Sequence, residues 1–286
     1  MNLVGLDVGF SARRESSGVA RLNSGVVSIG CATESLETRR EFFGMDEVDV
    51  AAIDAPILAG EGFDKRACER LFTLGRFQRR CKPGLSHVPG TGRAFRQAGH
   101  ESARQLSKIS SGRELLVKFP RVWGTRNLIE AFPNAFMGVL LPGGCFDRMP
   151  KLRRGQKFEW LYDECLKRKK LNSVIDVIGG ATRPSVLHHI KTNQNHDQKA
   201  ALICLLTAAA VTAGRYTAVG DKKGGYFFLP PWELWDLWAR QELETQRQRV
   251  ESVDVWIDGV RFSPSEPVPV GRVKRGRESF KISREE

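Results

Sequence analysis

The 286-residue sequence predicts an α/β fold: a mixed sheet flanked by helices, with a basic irregular insertion and a C-terminal appendage of helix and hairpin. Three observations carry this. Short apolar runs of strand character recur, each with a carboxylate inside it or at its end. Segments with apolar residues at helical spacing alternate with those runs. Polar turns near the start tie the first strands into a meander.

The opening run Leu3, Val4, Leu6 and Val8 encloses Asp7, a charge that a buried strand tolerates only when something compensates it. Gly5 and Gly9 leave room for another backbone or a ligand beside it. Ser16–Leu22 and Gly25–Cys31 read as the second and third strands, joined by the Asn23-Ser24-Gly25 turn. A central acid-bearing strand followed by a meander opens RNase H-like folds, and sugar-kinase and actin-like folds as well. Glu34–Gly44 fits a short helix with a glycine stop. Val48–Ile57 reads as a strand ended by Pro56, which places Asp54 at a carboxyl end, where open sheets bind ligands. A turn-forming Asp before Pro is the other reading of that residue.

Asp64–Phe72 looks helical with Asp64 as N-cap, and Arg66 either reaches a site or pairs with Glu69 at i, i+3. Residues 79–113 are broken by Pro83, Gly84, Pro89, Gly90, Gly92 and Gly99 and read as irregular. Arg126–Phe132 repeats the pattern of an acid-bearing strand, here Glu130, closed by Pro133. Lys151–Lys170 reads as an amphipathic helix with a basic polar face. Ala200–Ala213 is a buried helix opened by Asn193–Lys199, with Asp197 in its first turn as a cap or as a projecting carboxylate. Tyr216–Leu229 reads as a hairpin. Trp232, Trp235 and Trp238 form an aromatic stripe on one helix, more often core packing than base stacking. A small hairpin with an Asp-Gly turn spans Val253–Phe262, and the tail from Ser263 is Pro-rich and basic. The expected division is a domain of residues 1–230, carrying the insertion at about 79–124, and an appendage of residues 231–286.

The net charge of +12 favours a polyanionic partner. It is uneven: residues 1–60 hold 5 basic and 9 acidic residues, whereas residues 76–126 hold 12 basic and 2 acidic. An acidic N-terminal part beside a basic stretch suits a metal site facing a phosphate-binding surface; a solvated Arg-rich loop is the plainer alternative. Arg79, Arg80, Arg93 and Arg96 are the candidate nucleic-acid contacts in that stretch. The six cysteines lack CxxC spacing, so no zinc site is expected. Met1 leads into a strand without a basic leader, and the longest apolar run is short for a bilayer. The expectation is a reduced, soluble, cytoplasmic protein without a membrane partner.

Asp7, Asp54, Glu130 and Asp197 stand out as an all-oxygen ligand set suited to Mg²⁺ or Mn²⁺, in one or two ions. Two such ions activate water and stabilise the leaving oxygen of a phosphodiester.

Gly5-Leu6-Asp7, Ala52-Ile53-Asp54-Ala55-Pro56, Glu130-Ala131-Phe132-Pro133 and His196-Asp197 through Ala208 resemble, in that order, the motifs of the domain-of-unknown-function 429 family. The resemblance covers about residues 1–230. It implies an RNase H-like fold, divalent-metal phosphodiester hydrolysis, and the four carboxylates as catalytic metal ligands. The Gly5–Gly9 start is also similar to Holliday-junction resolvases. Such proteins often carry a second Asp three residues after the first in the last helix; here that position is Ala200. Either Asp197 carries the role alone or the second metal is weakly held.

The leading expectation is a metal-dependent nuclease. In it Asp7 bridges the metals, Lys199 and Arg66 stabilise phosphorane charge, and His196 shuttles a proton or is a polar helix-start residue. The rival readings are a non-catalytic nucleic-acid-binding protein with a degenerate site, and, ranked lower, an actin-like phosphotransferase.

Overall fold

A computed structural model describes residues 1–43, 48–58, 65–81, 83, 85–109, 127–153, 155–179, 183–250, 252–263 and 265–269. Its centre is one mixed sheet of nine strands. β1 (Asn2–Asp7), β2 (Ser17–Asn23) and β3 (Val26–Ala32) form the expected antiparallel meander. α1 (Leu36–Phe43) leads to β4 (Val50–Asp54), which pairs parallel to β1. α2 (Ala67–Phe72), α3 (Gly75–Cys81) and α4 (Thr91–Ile109) precede β5 (Asn127–Ala131), parallel to β4.

Six helices follow: α5 (Pro133–Gly138), α6 (Gly143–Asp147), α7 (Gln156–Lys167), α8 (Lys170–Ile178), α9 (Arg183–Thr192) and α10 (His196–Thr212). β6 (Thr217–Asp221) and β7 (Gly225–Leu229) are the predicted hairpin; α11 (Leu237–Arg247), β8 (Asp254–Ile257) and β9 (Val260–Phe262) close the chain. The sheet order is β3-β2-β1-β4-β5-β7-β6-β8-β9. The parallel strands β1, β4, β5 and β7 therefore occupy the centre, with antiparallel ribbons on both sides.

Strand alternation divides the core between the two faces. Leu3, Ala20 and Ala52 pack with α10 residues such as Ala201 and Leu205. Val4, Leu6, Val19, Ala51 and Ile53 pack with Phe43 of α1 and with Ala103 and Leu106 of α4. α10 is buried along most of its length because it crosses the centre of the sheet, against β1, β2 and β4. Two glycines admit it so closely. A Cβ on Gly5 would stand 2.2 Å from the Ala201 carbonyl oxygen, and one on Gly18 would stand 1.9 Å from that of Asp197.

Three expectations need correction. The insertion is not irregular throughout: Thr91–Ile109 is a 19-residue helix, because Gly92 and Gly99 serve as packing surfaces, against Leu85 and Pro56, rather than as breakers. The C-terminal hairpin is not an appendage: β8 pairs with β6 and extends the same sheet, covering an edge that would otherwise present unpaired backbone groups. The tryptophans do not share a helix. Trp232 lies in a 3₁₀ turn, Trp235 is extended, and Trp238 enters α11 behind the Asp236 N-cap. All three are buried, and each indole donates to a backbone carbonyl, of Pro269, Pro230 and Leu141 in turn.

Asp64, residues 110–124 of the insertion and the tail from residue 270 lie outside the described residues. Among the described residues no helix is long and apolar enough to cross a membrane.

Candidate active site

Asp7 and Asp54 end adjacent parallel strands and are register partners, so both side chains leave the sheet on the same face. Gly5, two residues before Asp7, meets the backbone of α10, which identifies that face as the α10 side. The row continues outward from Asp7 to Gly18 and then to Cys31. Above Gly18 sits the first turn of α10, held by the Asn195 N-cap, whose side chain accepts from Gln198 N–H. The missing side chain at Gly18 thus admits the turn that carries Asp197 to Asp7.

Electrostatics record this proximity. Burial raises Asp7 well above the usual carboxylate range, and the charges of Asp54 and Asp197 raise it further. Burial, then the charge of Glu130, lifts Asp54 to about 7. Asp197, on the more open rim, is raised chiefly by burial. Cys31 belongs to the same corner. Its thiol is raised by burial and, more weakly, by Asp197, and it lies 3.6 Å from Gln198 Nε2. Asp7, whose ionisation both Asp54 and Asp197 oppose, is thus a carboxylate that a neighbouring cation would stabilise in its charged form.

Glu130 is placed differently. It is aligned with Ile53, one residue before Asp54, so alternation sends it to the opposite, α4 side of the sheet. There Arg66 grips it with both terminal nitrogens, at 2.7 and 2.8 Å. The same guanidinium bonds Glu69 at 2.9 and 3.2 Å and caps the Gly224 carbonyl at 3.2 Å. Burial raises Glu130 to about 7, against the opposing pull of Arg66 and, more distantly, Arg96. The i, i+3 pairing of Arg66 with Glu69 is therefore present, and Arg66 is 4% exposed, inside a network rather than facing solvent.

The other basic candidates divide in two. Lys199 bonds Glu159 at 2.6 Å, and His196 Nδ1 bonds the same carboxylate at 2.7 Å, so both tie the start of α10 to α7. The Arg80 guanidinium stacks on Trp238 and Phe146, with centroid distances of 4.3 and 4.7 Å. Arg96 is buried on α4, towards Glu130. Arg79 is exposed and donates to the Phe146 carbonyl, and Arg93 is exposed near the start of α4.

Sequence reasoning did not single out Gly18, Cys31, Glu159 or Arg39. Arg39 had a readable signal: Leu36, Arg39 and Phe43 stand at i, i+3, i+7 on one helix face. Its side chain donates to Ser102 and Gln105 of α4, and to the Gly9 carbonyl and Ser17 hydroxyl of the β1–β2 connection.

No protein-family model, curated protein or solved structure matches this chain. The site's chemistry therefore has to speak from its own geometry. The donor set fits a hard divalent cation in kind: Asp7, Asp54 and Asp197 offer oxygen only. Among the described residues, no group of three or more His, Cys, Asp and Glu side chains is gathered closely enough to form a ready metal cage. Glu130 does not fit as a ligand while Arg66 occupies both of its oxygens.

Proposed function

We propose that the chain is a divalent-metal-dependent nuclease of RNase H-like fold, related to the domain-of-unknown-function 429 family. The observation that carries this reading is the pairing of Asp7 with Asp54 at the ends of parallel strands, with Asp197 brought over Gly18 beside them. The antiparallel meander running into parallel β4 and β5 agrees with such a fold.

In this reading Asp7, Asp54 and Asp197 hold Mg²⁺ or Mn²⁺. A bound divalent ion supplies a water activated near neutral pH and Lewis-acid stabilisation of a phosphodiester oxygen. The chain's own residues prepare that event. The β1–β4 register fixes Asp7 against Asp54, so two of the three carboxylates are already side by side before a ligand binds. The Glu159 contacts of His196 and Lys199 anchor α10 and with it Asp197. Arg66 holds Glu130 on the far face, where its charge tunes Asp54 through the sheet. A nucleic-acid partner agrees with the net charge of +12.

The test is cleavage of RNA, DNA, hybrid and branched substrates in Mg²⁺ or Mn²⁺, wild type against Asp7→Asn. Metal-dependent cleavage that Asp7→Asn abolishes is expected. If wild type cuts no better than Asp7→Asn on every substrate, the reading fails.

A further inference from the structure

Arg39 is 1% exposed, and among the described residues no carboxylate bonds its guanidinium. Its partners are two side chains of α4, one hydroxyl and one backbone carbonyl, all neutral. Glu34 and Glu101 act on it only from a distance, and burial lowers its pKa to about 10, so it stays charged at neutral pH. A buried cation held by neutral dipoles leaves positive potential at the surface directly above it.

That surface is the β1–β2 loop. Arg39 donates to the Gly9 carbonyl and to Ser17 Oγ, and Ser17 closes the loop's neck by bonding Gly9 N–H and carbonyl. The Ser11 carbonyl takes a further bond from Glu34 N–H, and the Ser11 hydroxyl accepts from Arg14 N–H. The loop is thus built rather than slack. It bounds a shallow, open recess whose described lining is Gly9 through Arg14 and Ser16. Arg13 and Arg14 are exposed at this recess, and Phe10 keeps 44% of its surface in solvent. An exposed ring on an anchored loop, flanked by two arginines and backed by a third, has the makings of a stacking platform with a phosphate clamp. Asp7 lies two residues before the neck. Glu15 is the one acid within the loop itself.

We propose that this loop is the nucleotide subsite of a single-stranded nucleic-acid track: Phe10 stacks an unpaired base, and Arg13 and Arg14 hold the phosphate beside it. The assignment rests on the nucleic-acid reading above and adds to it a strand preference and a location. Stacking requires an unpaired base, which sets the preference for single strands over duplex.

The test measures binding of fluorescein-labelled single-stranded and duplex 12-mers by anisotropy in EDTA, so that no hydrolysis enters. Phe10→Ala is expected to weaken single-strand binding about tenfold. Arg13→Ala/Arg14→Ala is expected to weaken it and to reduce the salt slope by about one unit or more. The double control Lys167→Ala/Lys191→Ala, which removes the same charge from exposed positions on α7 and α9, is expected to leave both unchanged. Thermal melts verify that each variant folds.

The proposal is overturned by loop variants that bind like wild type, by a control that weakens binding equally, by tighter binding of duplex, or by a wild type that binds neither. Competition by a mononucleotide as strong as that of the oligomer also overturns it, in favour of a small-nucleotide pocket. The nuclease reading fails separately, when bound strands are never cut in Mg²⁺ or Mn²⁺.

Discussion

Asp7 and Asp54 are register partners on adjacent parallel strands, which sets their Cα atoms about 4.8 Å apart with both carboxylates on the α10 face. Burial and then the Asp54 charge raise Asp7, while burial and then Glu130 raise Asp54, so both carboxyls resist ionisation. This is local strain of an electrostatic kind, kept where a ligand can relieve it.

Removing one charge should therefore stabilise the metal-free protein. Asp7→Asn and Asp54→Asn are each expected to raise Tm in EDTA at pH 8 by a few degrees, at roughly 2–4 °C per kcal/mol for a chain of this size. If the proposed site holds metal, Mg²⁺ or Mn²⁺ should raise the Tm of the wild type and not that of either variant. Calorimetry in EDTA and in millimolar metal reads both effects. A lower Tm for both variants in EDTA would mean that the pair stabilises the fold in some other way.

The pH dependence follows with a definite sign. Asp54 and Glu130 are raised to about 7, so the folded state keeps protons that the unfolded chain releases near pH 4. Their contribution is complete below about pH 4 and is lost as pH rises through 7. Lowered groups such as Glu159 and Glu242 act oppositely, and their contribution is lost in more acid solution. Metal-free Tm should hence fall between pH 5 and pH 8, and Asp54→Asn should flatten the decline. A Tm that stays level or climbs across this range in EDTA contradicts the assignment.

Gly18→Ala tests how Asp197 reaches the site. The new Cβ would lie 1.9 Å from the Asp197 carbonyl oxygen, a backbone atom that gives way only if the start of α10 shifts. Overpacking of this kind costs about 1–3 kcal/mol. Tm should fall, and the metal-induced rise should shrink beyond what the lost stability explains. Gly144→Ala is the matched control, because nothing lies within 4 Å of its Cβ. Equal metal responses in the two variants would separate Asp197 from the site.

Much of this arrangement could be read from local pattern. The acid-bearing strands, the buried helix after His196 and the β6–β7 turn are set by near neighbours in sequence, and they formed as expected. Face assignment was not local. Asp54 and Glu130 both follow apolar runs and precede Pro by two or three residues, yet a one-residue offset in register sends them to opposite faces. Glycine was ambiguous in the same way. Gly92 and Gly99 looked like breakers, but the contacts they make in α4 are with residues the chain reaches only after folding. Local pattern assigns Lys199 to the site and leaves Arg66 only Glu69 or the site, because the partners that decide their places, Glu159 and Glu130, stand 40 and 64 residues away.

Arg66 offers the sharpest contrast between a ligand and a structural cation. It bonds two buried acids at once and lies over the Phe227 ring, 5.4 Å from its centroid. Removing the charge takes the cation from Glu130 and leaves Glu69, among the described residues, with only the Ser86 N–H and the more distant His87 ring; breaking a buried pair in this way costs about 3–5 kcal/mol. Arg66→Met should lower Tm by roughly 10 °C. Arg66→Lys should recover only part of this, because one ammonium cannot reproduce the two-pronged grip on Glu130. Adding Glu130→Gln to Arg66→Met should restore some stability by removing one stranded charge, which a double-mutant cycle detects. A substrate-binding arginine would behave otherwise: Arg66→Met would keep its Tm within about 2 °C, the shift expected below 1 kcal/mol, while oligonucleotide binding weakened. That outcome would move Arg66 from the core network to the proposed nucleic-acid surface.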